Sequence, residues 1–160
     1  MSRPPSMICD LNVSDNVWKI SIHVVDLWIV KERNGQQHVE CLIQDSKGDK
    51  IHVVTRNRDF EMWNQTLQEH QTYMVYNCDP TMNDLAFKIC DNPLKVFFHG
   101  GTTITMLDMP EIPMHNFDFK PIVNFLHRDF HVNRLYDVIG VLHQVMKTQV
   151  TRGGRKWKRT

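Results

Sequence analysis

Between residues 18 and 106 the apolar residues recur with a period of two, except in one short stretch where the period becomes helical. Trp18, Ile20, Ile22 and Val24 alternate with Lys19, Ser21 and His23, the pattern of a half-buried strand. The phase slips at Val24-Val25, after which Leu27 and Ile29 carry the apolar face, so a bulge or a sharp bend is expected there. Residues 31–38 (KERNGQQH) are a polar loop turned at Gly35, and Val39, Cys41 and Ile43 begin a second strand. Residues 45–49 read as a hairpin turn in which Gly48 supplies a positive φ. The third strand puts Ile51, Val53 and Thr55 on one face, with His52, Val54 and Arg56 on the other. From Asp59, a candidate N-cap, Phe60, Trp63 and Leu67 fall at i, i+3 and i+7, which predicts a helix ending near His70. A fourth strand follows over 72–77, a loop over 79–84, and a fifth strand carrying Leu85, Phe87 and Ile89. Residues 94–98 and 102–106 are again strand-like, around Gly100-Gly101.

Three strands, a helix and two more strands is the order of an all-β, five-stranded OB-fold barrel with one plug helix. The organisation expected around it is a flexible N-terminus over 1–12 and an OB domain over 13–110. A connector over 111–134 would follow, in which Phe117 and Phe119 pack back on the barrel and Ile122, Phe125, Leu126 and Phe130 make a helical turn. A new strand would open at Leu135, with a basic segment after it by residue 160.

Charge is unevenly spread. Residues 1–110 hold ten Lys or Arg against fourteen Asp or Glu, a net of −4, whereas residues 148–160 hold Arg152, Arg155, Lys156, Lys158 and Arg159 and no acid. No apolar run approaches the roughly 18 residues that span a bilayer, and no secretory apolar segment follows the first residues, which points inside the cell. Cys9, Cys41, Cys78 and Cys90 stand far apart, with no C-x-x-C pair. Cys41 and Cys90 read as small buried apolar groups. His127 and His131 share i, i+4 spacing but have no convincing third or fourth ligand, so no metal is expected. No nucleophile elbow, P-loop, dinucleotide glycine signature or H-E-x-x-H occurs. The expectation is a binding protein, not an enzyme, with no cofactor, no membrane and no small-molecule substrate.

Several segments in order resemble the large, DNA-binding subunit of replication protein A, most closely its plant-type relatives. They are WKISIHVVDLW (18–28), LIQDSKGDKI (42–51), TYMVYN (72–77), IPMHNFDF (112–119) and YDVIGV (136–141), and together they cover nearly the whole chain. The resemblance implies that the strand from Leu135 begins a second OB fold, truncated at its first hairpin over 135–160. It further implies single-stranded DNA as the partner, other replication protein A subunits as further partners, the nucleus as the location, and replication, repair or recombination as the process. It also implies a groove built from Trp28, Lys31 and Arg33 at the strand 1–2 loop, His52 and Arg56 on strand 3, and Phe87 and Lys88 on strand 5. Such a set has the chemistry that single strands need: flat groups under bases and cations against phosphates.

The departures from that family pattern point to a depleted groove. Arg56 and Cys78 stand where relatives often carry aromatics, and Asp26 where they often carry a cation. A guanidinium can still stack, but a thiol cannot. The competing expectations are an OB-fold protein-interaction scaffold, or a non-functional fragment of a longer subunit. As a free segment, the basic end would bind phosphates without regard to sequence, with Trp157 available to stack.

Overall fold

The computed structural model describes residues 2–144. They fall into two compact units, one of residues up to Phe117 with His131–Leu135, the other of Asp118–Phe130 and the residues from Tyr136 onward.

The first unit contains seven strands, β1 (Lys19–Lys31), β2 (Gln37–Gln44), β3 (Lys50–Thr55), β4 (Thr72–Tyr76), β5 (Asp79–Met82), β6 (Leu94–Phe98) and β7 (Thr103–Met106), in the order β5-β6-β3-β2-β1-β4-β7. Helix α1 (Phe60–Thr66) lies between β3 and β4, preceded by a 3-10 turn, Asn57–Asp59. Every pairing is antiparallel except β3 with β6. The sheet curls, and the chain ties its ends together. β5 at one end is separated from β4 near the other by Asn77 and Cys78 alone, and Asn77 makes the corner with a φ of 59°. Seven ladder segments thus come from five stretches of chain, with β4–β5 and β6–β7 each a bent strand. This is the OB arrangement.

The bend expected in the first strand is present. The β1–β2 register shifts between Val24 and Asp26. Before the shift β1 pairs with β4 (Lys19 to His23), and after it β1 pairs with β2 alone. One strand thereby serves both halves of the curl. The hairpin glycine also behaves as expected, with Gly48 at φ 86°.

The core holds Trp18, Ile20, Ile22 and Val24 of the first strand region, Val39, Cys41 and Ile43 of β2, and Ile51 and Val53 of β3, with Tyr73, Val75, Cys78, Val96 and Phe98. α1 closes one end of it with Trp63, whose ring lies 5.3 Å from that of Phe98. The helix stops at Thr66, short of the expected His70, because Leu67 turns to extended backbone (ψ 132°) and drops its side chain into the core. The Tyr73 hydroxyl secures that end, accepting from the Gln68 amide at 2.9 Å and donating to the Thr66 carbonyl at 3.1 Å. Asp59 does stand at the N-cap, but its side chain makes no capping bond.

Several expectations are corrected. Residues 79–84, read as a loop, open with β5, and no strand forms at Leu85, Phe87 and Ile89, which lie in the irregular connection to β6. The last barrel strand is instead the 94–106 stretch. Residues 6–11, expected to be flexible, lie against the core: Ser6 bridges to Ile20, Ile8 and Leu11 are buried, and the Ile8 amide donates to Asp45 Oδ2 at 2.8 Å. In the connector Met109 and Ile112 are buried, not the phenylalanines; Phe117 is 54% exposed and Phe119 45%.

In the second unit, α2 (Ile122–Leu126) supplies the expected helical turn. It ends before His127, and Arg128 has a φ of 59°, so His127 and His131 do not share a helix. The strand expected from Leu135 is not formed among the described residues. Phe119 bridges to Asp137 and the Leu135 amide donates to the Lys88 carbonyl, but Val138, Ile139, Val141 and Leu142 are exposed. The basic segment 148–160 lies outside the described residues. No helix among the described residues is long and apolar enough to cross a membrane.

Candidate nucleic-acid interface

Strand alternation gives the β1–β2–β3–β6–β5 wall a core side and an outer side. The registers align the outer residues into rows. One row runs Trp28, Glu40, Val54, Phe97, Asp79, and the next runs Asp26, Leu42, His52, Lys95, Thr81. Carrying the β2–β3 register two residues further sets Arg56 opposite His38, beside Trp28's row.

Trp28 is half-buried on the outer side of β1, and its ring lies 5.5 Å from that of His52 at 47°. His52 itself is 2% exposed. It was expected to face a ligand; instead it lies beneath the surface as a support for the indole. Its Nε2 is 2.8 Å from Glu40 Oε2, and His38 Nε2 is 2.9 Å from Glu40 Oε1. A carboxylate only accepts, so both Nε2 atoms carry the hydrogen. Burial would push the Glu40 carboxyl up, but the bonds from His52 and His38 outweigh it and hold the group below the ordinary carboxylate range. One carboxylate thereby fixes two imidazoles and, through His52, the tilt of Trp28.

The cations gather at one end of this wall. The β1–β2 loop closes on itself through Glu32 N–H to Gln36 O (2.8 Å) and Gly35 N–H to Glu32 O (3.0 Å). Asn57 Nδ2 then donates to Glu32 Oε1 and Gln36 Oε1, both at 3.0 Å, tying the loop to the turn after β3. Lys31, Arg33, Arg56 and Arg58 are all exposed, on or beside the tied segments, Arg58 near its neighbour Asp59 at 3.8 Å. A shallow pocket of about 300 Å³, lined by Gln36, Gln37, Asn57, Arg58, Phe60 and Glu61, opens there.

Phe87 and Lys88 are positioned differently. They lie on the β5–β6 connection, Phe87 exposed, Lys88 with its Nζ on the Asn83 carbonyl at 2.6 Å. The Lys88 backbone bridges to residues 133–135, accepting from the Leu135 amide and donating to the Asn133 carbonyl, each at 2.8 Å. Cys78 is corrected as well. It faces the core, fully buried, with burial pushing its thiol up to about 12. No aromatic at that position could have served the outer face, and its presence takes nothing from the groove.

Four residues of the outer wall escaped the sequence reading: His38, Glu40, Lys95 and Phe97. Lys95 holds its Nζ 5.1 Å from the Phe97 ring centre and pairs with Asp84. The alternation of 94–98 carries the signal, since Val96 and Phe98 as core residues oblige Lys95 and Phe97 to face outward.

Comparison with known proteins bears on the fold. A chain of a replication protein A heterotrimer bound to ssDNA has a TM-score of 0.64 at 20% identity, covering 94% of this chain and 36% of that one. This protein thus spans about a third of that chain's length. Pot1pC of Schizosaccharomyces pombe, bound to the ssDNA CGGTTACGGT, has a TM-score of 0.51 at 11% identity and covers 69% of this chain and 92% of its own. DNA-binding domain A of Saccharomyces cerevisiae replication protein A has 0.51 at 20%, covering 68% and 97%. No curated protein matches. A family model described as "Domain of unknown function DUF223" matches residues 9–126, through the whole curled sheet and α2, and the chain belongs to that family.

Proposed function

We propose that the protein binds single-stranded DNA along the outer wall of its OB sheet, without catalysing a reaction. The observation that carries this is Trp28, a half-buried outer-side indole braced by the His52–Glu40–His38 set, at the end of the wall where Lys31, Arg33 and Arg56 are exposed. A base stacked on Trp28 would leave its phosphates within reach of those cations. Support also comes from the fold, shared with structures whose descriptions include bound ssDNA. In this reading His52 positions the indole and does not touch the ligand, and Phe87 with Lys88 forms a separate contact on the β5–β6 connection. Kinship with the large subunit of replication protein A, a place beside its other subunits, the nucleus, and replication, repair or recombination are the finer parts of the proposal. So is the assignment of residues beyond 135 to the opening of a second barrel.

The test is fluorescence anisotropy with labelled oligo-dT at low and moderate salt. Trp28→Ala should weaken binding by about 1–3 kcal/mol, the worth of one stacked base. Arg56→Ala should weaken it and reduce its salt dependence. No binding at low salt would sink the reading. A protein-interaction scaffold would then be the better account, favoured already by the net charge of −4 over residues 1–110.

A further inference from the structure

Half of the outer wall is closed. Leu42, His52, Val54 and Lys95 all point away from the core cluster, yet are 5%, 2%, 9% and 7% exposed. A segment of the same chain lies along this face. Residues 83–93, between β5 and β6, carry half-buried Leu85, Ile89 and Cys90, none of which belongs to the core cluster. Cys90 lies beside the His52 backbone, and Asn92 Nδ2 donates to the Lys50 carbonyl at 3.0 Å. Asp84, with its side chain 79% exposed, reaches back to the 8% exposed side chain of Lys95. The segment is latched in turn by residues 131–135, through the Lys88–Arg134 bridge and the Arg134–Asp91 ion pair.

Resting on the reading above, we propose that residues 83–93 are a displaceable strap over the β3–β6 half of the groove, and that Lys95 is a phosphate-binding residue held in reserve. The Asp84 carboxylate occupies the Lys95 ammonium as a phosphate oxygen would, two anionic oxygens competing for one cation. A longer single strand would displace Asp84 and gain Lys95 with the adjoining Phe97 face. The closed form then offers only the Trp28 end of the wall, beside the Phe87–Lys88 contact, and the open form the full wall. Two of the latches are ion pairs with exposed carboxylates, the kind of contact a polyanion competes for.

Two readouts test this in the full chain carrying Cys9→Ser, which removes the exposed thiol and leaves Cys90 as the accessible one beside buried Cys41 and Cys78. The first is the rate of Cys90 modification by a thiol reagent; the second is oligo-dT affinity. In Asp84→Asn/Asp91→Asn the rate should rise severalfold and affinity should tighten by about three- to tenfold, the range that releasing one or two ion pairs gives. Adding Lys95→Met should abolish the gain in affinity and leave the fast modification. An unchanged Cys90 rate would show that these pairs do not hold the strap. A faster rate with unchanged or weaker affinity would show that the strap does not compete with DNA. Absence of binding in every variant, with the rate raised, would instead overturn the groove reading and the reserve role of Lys95 together.

Discussion

His23 points outward from β1 by alternation, yet it is 3% exposed. Its ring stacks 6.3 Å from that of His70, which lies 6.4 Å from His115, and Glu69 stands beside His70 at 3.8 Å. Burial is the main cause that holds the His23 pKa below its ordinary 6.5; the charges of His70 and His115 act in the same direction, and the nearby His70 backbone acts against them. In the unfolded chain His23 takes up its proton near the ordinary value, and in the folded chain it does so only at lower pH. Stability contributed by the neutral ring is therefore full above that value and is lost as pH falls from it toward the folded pKa. Urea unfolding between neutral and mildly acidic pH should show stability falling with pH, and His23→Gln should flatten the fall. An undiminished slope in that variant would show that His23 is not its source. Glu40 has the opposite sense of partner but the same acid limit. Its lowered pKa gives stability that is present above its ordinary 4.5 and lost below it, so the brace under Trp28 fails in acid.

Among the elements, α1 and the β2–β3 hairpin carry the sharpest expectations. Trp63 is 2% exposed against Phe98, so Trp63→Ala should cost about 3–5 kcal/mol in equilibrium unfolding. Its Nε1 has no hydrogen-bond partner, so Trp63→Phe should cost much less. At Gly48 the φ of 86° is joined by a close approach, since a Cβ would stand on the amide of Asn116, whose Nδ2 donates to the Gly48 carbonyl at 3.0 Å. Gly48→Ala should destabilise by more than about 1 kcal/mol, and Asn116→Ala should recover part of that loss. These same elements show what the sequence could reveal. Trp18 to Val24, Val39 to Ile43 and the Trp63–Leu67 stripe are local periodicities imposed by one shared core, and they were legible. The β5 strand was not, because Asp79-Pro80-Thr81-Met82 has turn composition and becomes a strand through pairing with Leu94–Phe97. Burial of His52 and Lys95 was also invisible, since alternation says which way a side chain points but not what lies over it.

For the whole molecule, the decisive quantity is charge. An acidic body with cations concentrated at one end must bind a polyanion through few contacts. Release of counterions gives a log–log salt slope of about −0.7 per phosphate neutralised on a single strand. If Lys31, Arg33 and Arg56 are the contacts, the slope should be near −2, about three times that unit. Releasing the strap should steepen it by about one further unit as Lys95 joins. The five cations of residues 148–160 would carry the slope beyond about −5 if they took part as well. Affinity measured across a salt series, on the full chain and on a variant ending at residue 147, separates these cases. A shallow slope that survives the truncation, with Trp28→Ala weakening both proteins equally, assigns the binding to the OB wall. A steep slope that collapses on truncation, with Trp28→Ala silent, would assign it to the basic segment and leave the wall as a scaffold. The negative body makes the distinction clean, because it penalises every phosphate not met by a cation of its own.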